Sequence, residues 1–219
     1  MGIFVAGATG QTGRHIVKQL VEQNFPVKAL VRDLERAQAI LPPAVEFVVG
    51  DVLKPTTFEQ HLTDCSALIC ATGASPGLDP TGPYQVDYVG TKNLVDAAKT
   101  QGIEHFVLVS SLCVSKFFHP LNLFWLVLYW KKQAESYIQD SGIPYTIVRP
   151  GGLKNEDNSE SIVMKGADTL FDGSISRLKV AQACVEALSQ PSAKSQIVEI
   201  VTKPEAESQT WEQLFGSVA

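Results

Sequence analysis

The stretch GATGQTG, residues 7 to 13, follows the apolar run Ile3, Phe4, Val5, Ala6 without a break. A short apolar run bounded by glycine reads as a buried strand, and the amphipathic pattern over 12–23 that follows reads as a helix. Three glycines at every third position therefore occupy the turn between a first strand and a first helix. Backbone N–H groups and the positive end of the helix dipole face whatever fills such a turn. Gly7 suits a tight turn, Gly10 the close approach of an anion, and Gly13 the packing of helix against strand, since a Cβ would intrude at each place. A pyrophosphate fits that turn, with Thr9, Gln11 and Thr12 around it, so the feature points to a dinucleotide. The spacing is one residue wider than G-x-G-x-x-G, and the G-K-[ST] ending of a triphosphate-binding loop is missing, which argues against nucleoside-triphosphate hydrolysis.

The rest of the chain continues the alternation. Strand patterns recur at 3–6, 27–31, 46–49, 67–71, 105–110, 145–149 and 196–201. Helical patterns lie near 12–23, 34–40, 56–62, 84–101, 128–141, 177–189 and 208–216. Strand then helix, repeated, predicts an α/β fold: a single-domain, doubly wound Rossmann-type parallel sheet with helices on both faces, spanning residues 1–219. Loops are expected at Gly73–Pro83 and at the polar segment Lys154–Ser161, read as part of a lid.

With 219 residues, 45% of them hydrophobic, the chain is long enough to bury a sizeable core. A net charge of −5 leaves no basic excess for non-specific binding to nucleic acid or to an anionic membrane. Cys65, Cys70, Cys113 and Cys184 form no C-x-x-C pair and sit in or beside apolar runs, which reads as reduced core thiols with no metal ligation. No secretory pattern opens the chain, and a cytoplasmic setting is expected. The apolar stretch Leu121–Trp130 is about half the roughly 20 residues that a spanning helix needs. A buried helix start, or an apolar wall beside a ligand, suits it better, with peripheral membrane or partner contact as the remaining reading.

The end of the second strand decides which dinucleotide. A carboxylate there accepts from a ribose 2′-hydroxyl, and an arginine pairs with a 2′-phosphate. Arg32, with Arg36 one helical turn later, favours NADP(H), while Asp33 points the other way. Asp51 and Val52 at the third strand's end are placed beside the adenine, and Ala71, Thr72 and Gly73 at the fourth let the cofactor backbone pass.

Together GATGQTG, LVRD, VVGDV, CATGA, VDYVGTKNLVDAA, VLVSS and YTIVRPGGL resemble the atypical NAD(P)-binding short-chain dehydrogenase/reductase superfamily over nearly the whole chain. The N-terminal third resembles its biliverdin-IXβ (flavin) reductase branch. The centre is similar to the Rossmann module of the chloroplast translocon subunit that binds ferredoxin-NADP reductase. The resemblance implies a serine after strand five, here Ser110 or Ser111, and a lysine that holds the nicotinamide ribose, here Lys131 with Glu135 four residues on. The tyrosine that superfamily members carry four residues before the lysine is Val127 in this chain, and Tyr129 with Lys132 does not reproduce the spacing. A tyrosine-proton mechanism is thereby put in doubt, and with it an epimerase or dehydratase.

A flavin, tetrapyrrole or quinone-like acceptor needs no such acid, as the reductase branch implies, so the expected activity is NADPH-dependent reduction of a planar acceptor. The rival expectation is an NADP(H)-bound scaffold or assembly factor with a redox-protein partner. Phe117, Phe118, His119, Phe124 and Trp125 are candidates for an apolar acceptor wall. Pro150 and Gly151 after strand six would line the nicotinamide.

Overall fold

The computed structural model describes residues 2–74, 79–123 and 125–218. Its strands are β1 (Gly2–Ala6), β2 (Val27–Val31), β3 (Glu46–Val49), β4 (Cys65–Cys70), β5 (His105–Val109), β6 (Tyr145–Pro150), β7 (Gly152–Lys154), β8 (Ser161–Gly166), β9 (Ser174–Ser176) and β10 (Gln196–Lys203). The helices are α1 (Gly13–Glu22), α2 (Leu34–Ile40), α3 (Thr91–Thr100), α4 (Val127–Asp140), α5 (Arg177–Glu186) and α6 (Trp211–Gly216). One sheet runs β3-β2-β1-β4-β5-β6-β10, all parallel, as the alternating pattern predicts. Its strand order reverses between β1 and β4, and the crevice outside the carboxyl ends of those two strands is where an open α/β sheet binds ligands.

Successive residues of β1 serve opposite faces, as the strand's two-residue period requires. Ile3 and Val5 pack with Ile16, Val17 and Leu20 of α1 and with Val180 and Cys184 of α5. Phe4 and Ala6 pack with Leu94, Val95 and Ala98 of α3 and Ile138 of α4. All four cysteines are buried and free, as expected.

Three departures matter. The 84–101 helix is a π-helical segment, Pro83–Gly90, continued by α3. The sheet is not purely parallel, because β8 and β9 add antiparallel to β10, with β7 beside β9. The Lys154–Ser161 segment is held rather than free to act as a lid. Ser176 donates to Asp157 at 2.6 Å, Lys179 to Asp157 at 2.8 Å and Arg177 to Asn155 at 2.7 Å, tying the segment to the start of α5.

The Leu121–Trp130 stretch is likewise not one buried helix start. It divides into a 3₁₀ turn over Pro120–Leu123, two left-handed residues at 125 and 126, and α4 from Val127. Residues 75–78 of the Gly73–Pro83 loop, and Phe124, lie outside the described residues.

Candidate nucleotide groove and acceptor edge

A groove of about 400 Å³ opens at the carboxyl ends of β1 to β4. Gly7, Thr9 and Gly10 line it from the first turn, Arg32 and Arg36 from the second, Asp51 and Val52 from the third, and Ala71, Thr72 and Gly73 from the fourth. Gly7 has φ +78°, and a Cβ there would lie 2.5 Å from the Ala71 carbonyl oxygen. A Cβ on Gly13 would lie 2.0 Å from the Gly7 oxygen, so Gly13 exists for packing. Gly10 differs: an added Cβ meets only the Gly7 oxygen, at 3.1 Å, and otherwise projects into open groove. That open cradle at the start of α1, whose N-cap Thr12 supplies no side-chain cap, fits a pyrophosphate. Gln11 is exposed, Thr12 buried, and neither lines the groove.

In the second turn Arg32 and Asp33 are held differently. The Asp33 carboxylate accepts from the Arg36 backbone N–H at 3.0 Å and caps α2. Capping is the work short acidic side chains do at helix starts. Asp33 is therefore engaged outside the groove, while Arg32 and Arg36 line it. The third turn is pinned in its own way: the Asp51 N–H donates to Thr57 Oγ1 at 3.0 Å, its carboxylate accepts from the Leu53 N–H at 2.9 Å, and Asn93 holds the Val52 carbonyl at 2.9 Å.

Lys131 does not line the groove; it donates to Asp87 Oδ1 at 2.8 Å, and a Cβ on Gly73 would lie 3.7 Å from that same oxygen. Asp87 is buried, and its other oxygen accepts from the Ala74 N–H at 3.3 Å, which ties the lysine to the backbone after β4. Burial pushes the Lys131 pKa down, but the Asp87 charge and hydrogen bond outweigh it, so the ammonium is held above its ordinary value. Asp87 stands in the VDYVGT stretch, to which the sequence reading assigns no site role.

Val127 packs with the cluster of Leu112, Cys113, Val114, Leu128 and Val201. Position 127 thus holds a hydrocarbon against hydrocarbon. Ser110 is buried and donates to Glu135 at 2.6 Å, whereas Ser111 is half-buried and bonds the Leu112 carbonyl at 3.1 Å. Glu135 in turn forks onto Arg149, with Nε–Oε1 at 2.9 Å and Nη2–Oε2 at 2.7 Å. Arg149 also reaches Asp168 at 2.9 Å and Glu199 at 3.1 Å. Glu199 accepts from the backbone N–H groups of Asp168, Thr169 and Leu170 at 2.9, 2.9 and 2.7 Å.

This buried network joins β6, α4, β10 and the turn before β9. Pro150 lies buried at the end of β6, and a Cβ on Gly151 would come within 2.7 Å of the Gly173 oxygen, so that glycine serves close packing. Neither lines the groove.

The expected acceptor wall is not assembled as a wall. Phe117, Phe118 and Trp125 are exposed, and Phe117 stands edge-on to Phe118 and Tyr129. His119 Nδ1 accepts from the Leu121 N–H at 3.2 Å, a local turn contact. Among the described residues no group of three or more His, Cys, Asp or Glu is arranged to hold a metal.

A family model of NAD(P)H-binding domains matches residues 7–191. The chain belongs to the NAD(P)H-binding family. This NAD(P)H-binding chain is 49% identical to an uncharacterized chloroplastic protein of Arabidopsis thaliana over 99% of its length and 82% of the relative's. It is 38% identical to the chloroplastic protein TIC 62 of Pisum sativum over 99% of its length, spanning 46% of that longer protein. It is 33% identical to sanguinarine reductase of Eschscholzia californica over 93% of its length and 89% of that enzyme's. Among solved structures, ChuY, described as an anaerobilin reductase of Escherichia coli O157:H7, superposes with a TM-score of 0.79 at 21% identity, covering 95% and 100% of the two chains. The same fold is thus found there.

The chloroplastic relatives overturn the cytoplasmic expectation. Free, buried cysteines suit any reducing compartment and do not distinguish one from another.

Proposed function

We propose that the chain is an NADP(H)-dependent reductase that passes hydride to a flat conjugated acceptor of the flavin, tetrapyrrole or quinone type. The observation that carries this reading is the pairing of a fixed lysine with an absent acid: Lys131 is locked by Asp87, which lies next to Gly73 of the groove, while position 127 holds a packed valine. The bound nicotinamide supplies the hydride. Arg32 and Arg36 take the 2′-phosphate, the Gly7–Gly13 turn takes the pyrophosphate beside Asp51, Val52 and Ala71–Gly73, and Lys131 holds the nicotinamide ribose. Ser111, the less buried of the two serines, offers a hydroxyl toward the reacting end, and Ser110 is a positioning residue through Glu135. The proton comes from water. Rate enhancement then rests on proximity and orientation. The sanguinarine reductase relative supports a reductase.

A second reading, an NADP(H)-bound scaffold or assembly factor, is supported by the burial of the Ser110 hydroxyl against Glu135 and by the similarity to TIC 62. Steady oxidation of NADPH with a panel of flavins, biliverdins and quinones separates the two. Turnover with at least one acceptor is expected. Firm NADPH binding with none turned over would establish the scaffold instead.

A further inference from the structure

The turn between β8 and β9, residues 167–173, carries an aromatic ring to the edge formed by β5, β6 and β10. Glu199 of β10 holds its backbone through three N–H groups, and the Gly173 carbonyl accepts from the Gly152 N–H of β7 at 2.9 Å. The chain after Ser111 closes on the same turn. Cys113 Sγ donates to the Phe171 carbonyl at 3.3 Å, and Ser115 hydrogen-bonds the Asp168 carboxylate. Cys113 and Asp168 both stand in the left-handed region, at φ +63° and +60°. Residues with side chains keep that conformation only where their surroundings impose it, and such strain gathers at functional sites. Leu170 packs on the cluster that also receives Val127, so the turn reaches the position at which the tyrosine is missing. Phe171, the next residue, stays 45% exposed.

One face of that ring is already covered. Lys116 Nζ lies 3.6 Å from the Phe171 ring centroid. The face of an aromatic ring is the negative part of its quadrupole, so it draws a cation or an electron-poor ring. An oxidised flavin, tetrapyrrole or quinone is flat and electron-poor, and suits the face that the ammonium now holds. We propose, on the reductase reading above, that Phe171 is the ring on which the acceptor stacks and that Lys116 is a placeholder the acceptor displaces. Asp172, exposed beside Phe171, offers the displaced ammonium a carboxylate. Stacking fixes the plane of the acceptor, which hydride transfer by positioning requires. It also makes Phe171 a specificity-determining residue: a conjugated ring gains the contact, and an aliphatic ketone or aldehyde does not.

The test is calorimetric titration of the NADP⁺-loaded chain with flavin mononucleotide, biliverdin and menadione, followed by steady-state rates with each that binds. Phe171→Leu should weaken acceptor binding about tenfold and raise the acceptor KM by a similar factor. Its kcat, NADPH affinity and thermal midpoint should stay close to those of the unmodified chain, and Phe171→Tyr should bind the acceptor normally. Lys116→Ser should tighten acceptor binding about two- to fivefold, the worth of an exposed cation–π contact. The proposal is overturned, with the reductase reading intact, if Phe171→Leu binds and reduces an acceptor as the unmodified chain does. It is overturned likewise if Phe118→Leu raises the acceptor KM where Phe171→Leu does not, or if Lys116→Ser weakens acceptor binding. If none of the three compounds is bound or reduced while NADPH binds firmly, the reductase reading falls and the proposal falls with it.

Discussion

The two halves of the sheet's carboxyl edge are built by different means. In the nucleotide half, β1 to β4, each turn supplies its own groove residues through local backbone geometry: Gly7 turns at φ +78°, Asp33 caps the helix behind Arg32, and Asp51 bonds the Leu53 N–H two residues on. In the acceptor half, β5, β6 and β10, position is set by side chains far apart in sequence. Arg149 reaches Glu135, Asp168 and Glu199, and none of these carboxylates is local to it. A locally built groove loses ligand when changed and keeps its fold. A half held by buried charge loses its fold first.

The largest effect separating the halves is expected at Arg149. Arg149→Met leaves Glu135 and Glu199 in the interior without their cation, and removing one member of such a buried set costs roughly 3–5 kcal/mol. Burial opposes the Arg149 charge, and the hydrogen bonds and charges of Glu135, Glu199 and Asp168 together more than restore it, so the cation is the centre of this network. A urea titration reads the loss. A stability change below about 1 kcal/mol would break the comparison, since surface pairs are worth no more than that.

Next comes acid. His105 opens β5, the strand of the acceptor half that adjoins β4, and is buried with Nε2 on Thr146 at 2.9 Å. Burial lowers its pKa from 6.5 to about 4. A histidine whose folded pKa lies below its unfolded one binds more protons when unfolded, so stability is full above the unfolded value and falls as pH drops from about 6.5 toward 4. The loss approaches about 3 kcal/mol near the bottom of that window. His105→Gln should flatten the urea midpoint over the same range.

The glycines sharpen the contrast inside the nucleotide half. Gly10→Val should abolish NADPH binding measured by calorimetry and leave the thermal midpoint nearly unchanged, because the new side chain enters open groove. Gly13→Ala should lower the midpoint, since its Cβ lands 2.0 Å from the Gly7 carbonyl oxygen. Smaller still, Arg32→Ala should weaken NADPH by roughly 1.5–3 kcal/mol, the worth of a charge-assisted contact, with NADH little affected. Equal losses for the two cofactors would remove Arg32 from the 2′-phosphate.

How much of this was legible follows the same division. The seven parallel strands and the groove from Gly7 to Gly73 could be read because period-two runs and glycine turns are local signals. Asp33 was legible as a residue but ambiguous in role, since only the Arg36 N–H above it shows that its carboxylate caps a helix. The strands β7 and β9, three residues each, are too short to carry a period. The Arg149 network and the Asp87–Lys131 pair join distant residues that no spacing relates. The Leu121–Trp130 stretch misled because an apolar run favours burial, whereas Asn122 binds the Phe117 carbonyl and the Leu128 N–H and the chain then turns left-handed, leaving Leu121 and Leu123 exposed.

The most direct test of hydride transfer without a protein acid is the rate of acceptor reduction by Tyr129→Phe at saturating NADPH. The Tyr129 ring packs against Phe117 and Trp130, and Tyr129 stands two residues along the chain from position 127, where the resemblance expects the acid. Transfer governed by positioning predicts a rate close to that of the unmodified chain, with Lys131→Ala slower through loss of the ammonium that Asp87 holds in place. A fall of roughly 10² to 10⁴ in Tyr129→Phe, the range of a lost general acid, would contradict it and show that a shifted tyrosine donates the proton.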